Sequence, residues 1–256
     1  MHNTKKWLII MIAIAFGVTL VVSFVMLFSV KKVSAEFSVY GDSEAYEIQK
    51  DLEEFKGTNL ILLKLTDVFA INDKYPHYEI TSVEKEYPNV LKINVRKRTE
   101  VFKIVSGEQS YVLDGEGYIV NDTGETEYPR NVVPISMDDI TVTDGTVGKK
   151  IATSDDELFY SVIATAQALN LNDSVKEIKI TTGATEKMRD AIFTTYTGVD
   201  IEVWTVEDDG DAKIRKAFAL YERLGDYEKS SDKILAYKQI TDGQIISEWT
   251  SHERVE

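Results

Sequence analysis

Residues 7–30 read WLIIMIAIAFGVTLVVSFVMLFSV, 24 residues without a charge. As a helix this run is about 36 Å long, against about 30 Å of bilayer hydrocarbon. Lys5 and Lys6 flank one end, Lys31 and Lys32 the other, and their long stems let the ammonium groups reach the interface. The run therefore reads as a transmembrane signal-anchor helix, with 1–6 as a short cytoplasmic tail. Two lysines on each side leave the positive-inside count balanced. The orientation, bulk outside, rests instead on the shortness of the tail and on the ability of long domains to translocate. A cleaved signal peptide is the competing reading, with Val33-Ser34-Ala35 as its cleavage site. Signal-peptide apolar cores run about 7–15 residues, however, and Lys31 and Lys32 stand where a neutral region is expected.

The charge divides at the same place. Four of the 29 basic residues precede Glu36 and none of the 43 acidic ones does, leaving 25 basic against 43 acidic, a net −18. An acidic outer region argues against a nucleic-acid partner, which calls for a basic face. The absence of Cys excludes disulfides, cysteine catalysis and thiolate metal sites, and is compatible with export. The 256 residues leave room for two modest modules beyond the anchor.

Residues 36–100 read as strand, helix, helix, strand, strand. Glu36–Tyr40 is a short strand closed by Gly41-Asp42. Asp42 or Ser43 can cap a helix whose apolar face is Ala45, Ile48, Leu52 and Phe55, with Gly57 at its end. Thr66 can cap a second helix, with Val68, Ile71 and Tyr75 as its stripe and Pro76 as its limit. After the Tyr87-Pro88-Asn89 turn, Leu91, Ile93 and Val95 alternate with Lys92, Asn94 and Arg96 in a half-buried strand.

Residues 101–249 read as a β-rich domain with two helices, and 250–256 as a tail. Strands are predicted at 101–105, 110–113 and 117–120, with Asp114-Gly115-Glu116-Gly117 turning between the last two. Ser154 and Glu157 form a capping box for a helix whose stripe is Leu158, Val162, Thr165, Ala166 and Leu169. Strands follow at 175–180, 190–196 and 199–204, then a helix at 211–224 stopped by Gly225. Ile234–Ile240 and Gln244–Trp249 flank Thr241-Asp242-Gly243 as a hairpin. The fold class is α+β: a single transmembrane helix, then a small mixed domain, then a second mixed β-rich domain.

Catalytic chemistry is not legible. His2, His77 and His252 are far apart and fit no metal-ligand spacing, so no metal or cofactor set can be read. Ser followed three residues later by Lys occurs at Ser29/Lys32, Ser82/Lys85 and Ser230/Lys233. No S-D-N or K-T-G partner of an acyl enzyme accompanies any of them. Asp208, Asp209 and Asp211 around Gly210 lack the calcium-loop pattern and read as a solvated acidic loop. Glu84 and Glu86 share a strand face without a cleft to suit glycoside hydrolysis. Asn121-Asp-Thr123 and Asn172-Asp-Ser174 are formal glycosylation sequons that carry meaning only in a eukaryotic secretory pathway.

In the order and spacing of its elements the chain resembles the DivIB/FtsQ family of bacterial cell-division proteins. The features are the short tail and anchor, Phe37-Ser-Val-Tyr-Gly41, a capped helix leading to Gly57-Thr-Asn-Leu60, and a second helix ending at Tyr75-Pro76. Pro88-Asn-Val-Leu-Lys-Ile-Asn-Val95, the Asp114-Gly-Glu-Gly117 turn and a helix from Lys213 complete the set. Three positions depart from the family pattern. Lys97-Arg98-Thr99-Glu100 stands where an acidic-basic pair and then Pro are expected, Thr205 stands where Gly is expected, and Ala236-Tyr237-Lys238 replaces an Asp-aliphatic-Arg element.

The resemblance implies a POTRA domain at 36–100 and a non-catalytic divisome scaffold at the septum. It implies partners of the DivIC/FtsB and FtsL bitopic types, with a septal penicillin-binding protein as a further one, and control of septal peptidoglycan synthesis. It also implies that a partner segment adds as a strand beside the last strand, here Gln244, Ile245, Ile246, Ser247, Glu248 and Trp249. Ile245, Ser247 and Trp249 would share one face and Gln244, Ile246 and Glu248 the other. Ile245, Ile246 and Trp249 can equally be core or lid residues. Two other functions compete: an anchored cell-envelope enzyme, and a POTRA-bearing assembly factor.

Overall fold

A computed structural model describes residues 2–106, 109–122, 131–183, 188–225, 229, 233–240 and 244–251. The chain divides into two compact units, Met1–Arg98 and Thr99–Glu256. It is a mixed α/β protein with an apolar amino-terminal helix and several mixed sheets.

The first unit opens with helix α1 (His2–Leu27), whose stretch Ile10–Leu27 is long and apolar enough to cross a membrane. The helix stops at Leu27, three residues before the apolar run ends. Phe28–Val30 instead enter the folded unit, and Val30 is buried in its core. Strand β1 (Lys32–Phe37) follows at once, starting earlier than the predicted Glu36. A non-local partner explains the difference: the N–H groups of Lys31 and Lys32 both donate to Asn89 O, and β1 then pairs in parallel with β3 (Val90–Lys97). Strand β2 (Tyr78–Glu86) lies antiparallel on the other side of β3, giving the order β1-β3-β2.

Helix α2 (Ser43–Glu53) is capped by Asp42, whose Oδ1 accepts the Ala45 N–H at 2.9 Å. Its Ala45, Ile48 and Leu52 are buried, joined in the core by Leu91, Ile93 and Val95 from β3. The second helix, α3 (Leu65–Phe69), is one turn long, with Lys64 at its cap position and no side-chain cap bond. Thr66, the predicted cap, lies inside it.

The second unit holds a nine-stranded sheet. Its strands are β4 (Phe102–Ser106), β5 (Gln109–Leu113), β6 (Ile119–Asn121), β7 (Val133–Met137), β10 (Val175–Thr182), β11 (Arg189–Thr195), β12 (Asp200–Val203), β13 (Lys233–Ile240) and β14 (Gln244–Ser251). The order across the sheet is β14-β13-β12-β11-β10-β7-β4-β5-β6. A small hairpin of β8 (Val142–Asp144) and β9 (Ala152–Thr153) stands apart. Strand β7 was not expected: it contains Pro134, which ordinarily argues against a central strand, yet it pairs in parallel with both β4 and β10.

Helices α4 (Asp156–Ala168) and α5 (Gly210–Glu222) supply the helical part of the unit's core. Ile178, Ile180, Ala191, Phe193, Ile201 and Val203 are buried with Phe159, Val162, Ile214, Ala217 and Phe218. The Phe193 and Phe218 rings meet edge-on at 5.3 Å. The cap of α4 is Asp155, which accepts the Leu158 N–H at 3.2 Å, and not Ser154 of the predicted capping box. Ser154 Oγ is occupied elsewhere, accepting the Thr141 N–H at 3.1 Å.

Candidate partner-binding edge

Every open sheet has two edges, and the two edges of the large sheet are treated differently. At one end, β6 is three residues long and its neighbourhood is closed by backbone. Ile119 N donates to Lys149 O at 2.9 Å, Gly148 N donates to Ile119 O at 2.8 Å, and Tyr118 bridges to Lys150. At the other end, β14 is eight residues long and is paired only with β13 among the described residues. A long strand with one unpaired row of N–H and C=O groups is a template for a further strand.

The hairpin is held in place through β12 and α5. Strand β13 runs parallel to β12, in the register Asp200↔Ile234 to Val203↔Tyr237. A parallel neighbour needs a crossover, and α5 is that crossover. The chain leaves β12 through Thr205, which has a left-handed φ of 54°. Three hydrogen bonds made by two side chains fix that reversal. Asp190 Oδ1 accepts the Thr205 N–H at 2.8 Å, and Lys213 Nζ donates to Thr205 O at 2.7 Å and to Trp204 O at 3.4 Å. Burial pushes the Lys213 ammonium pKa down and the Asp190 carboxyl pKa up, so both are built in at an electrostatic cost.

All six residues Gln244, Ile245, Ile246, Ser247, Glu248 and Trp249 lie on β14. Ile245, Ser247 and Trp249 are in register with Gln239, Tyr237 and Leu235; Gln244, Ile246 and Glu248 are in register with Ile240, Lys238 and Ala236. Leu235 and Tyr237 continue in register to Ile201 and Val203, both buried. The side chains of these six, and the hairpin turn 241–243, lie outside the described residues.

The remaining residues singled out in the sequence are dispersed. His77 Nδ1 pairs with Glu44 Oε2 at 2.8 Å. Ser29 Oγ donates to Gly57 O and Lys85 Nζ to Leu63 O, so neither belongs to a Ser–Lys pair. Asp211 is bound by Arg215 Nε at 2.9 Å and by Thr165 Oγ1 at 2.8 Å, and these hydrogen bonds hold its carboxyl below the usual range. His252 and Ser230 lie outside the described residues, as does the side chain of His2. Among the described residues no three His, Cys, Asp or Glu side chains group as metal ligands.

No family model matches the chain. Over 99 residues it is 28% identical to the cell division protein DivIB of Clostridium acetobutylicum. The stretch is 38% of this chain and 37% of that protein, so the chain spans well under half the length of the relative it matches. The relative carries the name of the family that the sequence resembles.

Proposed function

We propose that this chain is a cell-division scaffold, anchored by a single membrane-spanning helix and acting by strand addition at β14 rather than by catalysis. The similarity to DivIB supports the division role, and the apolar helix α1 supports the anchor. The observation that carries the binding mode is the asymmetry of the large sheet, one edge closed by residues 148–151 and the other ending in β14. Backbone groups on that edge supply affinity, and alternate side chains supply specificity. The occupant is a segment of a DivIC/FtsB-type bitopic protein that itself pairs with an FtsL-type partner. With a septal penicillin-binding protein, that assembly controls septal peptidoglycan synthesis. The first unit contributes recruitment contacts near the membrane. The amino end is cytoplasmic, and both units are extracytoplasmic at the septum.

The test uses a property of antiparallel pairing. N–H groups alternate between the two edges of a strand, so one of Ile246 and Ser247 directs its N–H away from β13. Ile246→Pro and Ser247→Pro are therefore made as a pair. The variant that removes the outward donor leaves the hairpin intact and abolishes capture of the partner in a pull-down. Capture that persists in both variants, with circular dichroism unchanged, contradicts the edge assignment.

A further inference from the structure

The anchor runs directly into the first unit, and the route of the chain there decides what a nearby apolar turn does. Past Leu27, Phe28–Val30 lie alongside Gly57–Leu60 in antiparallel fashion. Val30 N donates to Thr58 O at 2.8 Å, Gly57 N donates to Val30 O at 2.9 Å, and Leu60 N donates to Phe28 O at 2.7 Å. The 57–60 segment therefore travels back along the emerging chain toward α1. Leu60 is level with Phe28, and the chain then turns through Ile61 and Leu62 at the end where α1 leaves off.

Those two residues are Ile61 and Leu62, 41% and 77% exposed. The turn that presents them satisfies the N–H groups of Ile61, Leu62 and Leu63 through Asn59. Asn59 Oδ1 accepts the N–H groups of Ile61 at 3.0 Å and Leu62 at 3.3 Å, and Asn59 O accepts those of Leu62 and Leu63. Such a turn can leave water without stranding donors. Beside it, Tyr87 is 60% exposed, and its ring meets that of Phe28 edge-on at 6.1 Å. Tyrosine is an interfacial residue of membrane proteins. Lys31 and Lys32, both exposed, mark the level at which the chain reaches water.

We propose that the Asn59–Leu62 turn, flanked by Tyr87, is a lipid contact. Ile61 and Leu62 enter the boundary between headgroups and hydrocarbon beside the exit of α1, and so seat the first unit on the outer membrane surface. The inference rests on α1 spanning the bilayer. The bilayer is assigned as occupant by continuity, because the turn is hydrogen-bonded to the end of the apolar helix itself.

The absence of cysteine makes the test clean. Single cysteines are placed at Leu62, at Val18 in the middle of α1, and at exposed Val39 beyond the far end of β1. Each is labelled with an environment-sensitive fluorophore. The full-length chain is reconstituted in phosphatidylethanolamine–phosphatidylglycerol vesicles containing doxyl-labelled phosphatidylcholine. The label at 62 is expected to shift to the blue and to be quenched by a doxyl group near the headgroup. The label at 39 stays unquenched, and the label at 18 is quenched by a doxyl group deep in the chain. If 18 is quenched and 62 behaves like 39, the lipid contact is wrong, although the span stands. If neither 18 nor 62 is quenched, the spanning reading fails and the lipid contact fails with it.

Discussion

Single residues reveal where this chain accepts strain. Thr205 is β-branched yet holds a φ of 54° at the exit from β12, the position at which the resemblance noted in the sequence leads one to expect Gly. A left-handed conformation costs a non-Gly residue about 1–2 kcal/mol, and the extra freedom that Gly regains on unfolding offsets about 0.5–1 of that. Thr205→Gly keeps the backbone bonds to Asp190 and Lys213. It should stabilise the second unit by about 0.5–1 kcal/mol in denaturant unfolding. The departure from the family pattern was visible in the sequence; its conformational meaning was not, because φ is set by Asp190 and Lys213, 15 residues before and eight after. Asp42 is the opposite case, a carboxylate in a favourable place. Hydrogen bonds from Lys97 Nζ at 2.8 Å, Tyr78 Oη at 2.7 Å and the Ala45 N–H hold its pKa well below the carboxylate range. A lowered pKa means that its stabilisation is complete above the unfolded value, about 3.9, and is lost as pH falls below that. Asn also caps helices. Asp42→Asn should therefore keep the cap but flatten the loss of α2 amide protection between about pH 4 and pH 2, as read by hydrogen exchange.

Among the elements, what the sequence disclosed was what local periodicity and turn chemistry decide. The alternation of Leu91, Ile93 and Val95 gives β3, the stripe of Ala45, Ile48 and Leu52 gives α2, and the Asp-Gly signal lies between the two strands of the last hairpin. Missed or displaced elements depend on partners distant in the chain. Strand β1 begins at Lys32 because Asn89 O is there to receive it. Strand β7 tolerates Pro134 because neighbours on both sides, β4 and β10, hold Val133 and Ile135 in register. The cap of α4 falls to Asp155 because Ser154 is bound to Thr141. The candidate edge follows the same rule. Gln244–Trp249 read as a strand from sequence, but its place at the end of the sheet needs the parallel β12–β13 pairing through α5. The paired proline variants at Ile246 and Ser247 act at this scale, since one removes a donor from the outer edge of β14 and the other a donor that faces β13.

For the molecule as a whole, the strong charge division of the sequence coincides with a physical one. A helix that is uncharged from Trp7 to its end at Leu27 passes without a linker into a folded unit, and Val30 belongs to the core of that unit. The first unit is tied to the level of the helix exit, which is why the Ile61–Leu62 turn is placed at a lipid surface and why labels at 62 and 39 should respond differently. The second unit presents the open edge. The anchor and this edge are the two features on which the proposed scaffold role rests. The most direct test of that role is depletion of the chain in cells that carry a fluorescent fusion as the complementing copy. A septal signal in complemented cells and filaments on depletion are the predicted results. A uniform membrane signal, with normal septation after depletion, would contradict the division role.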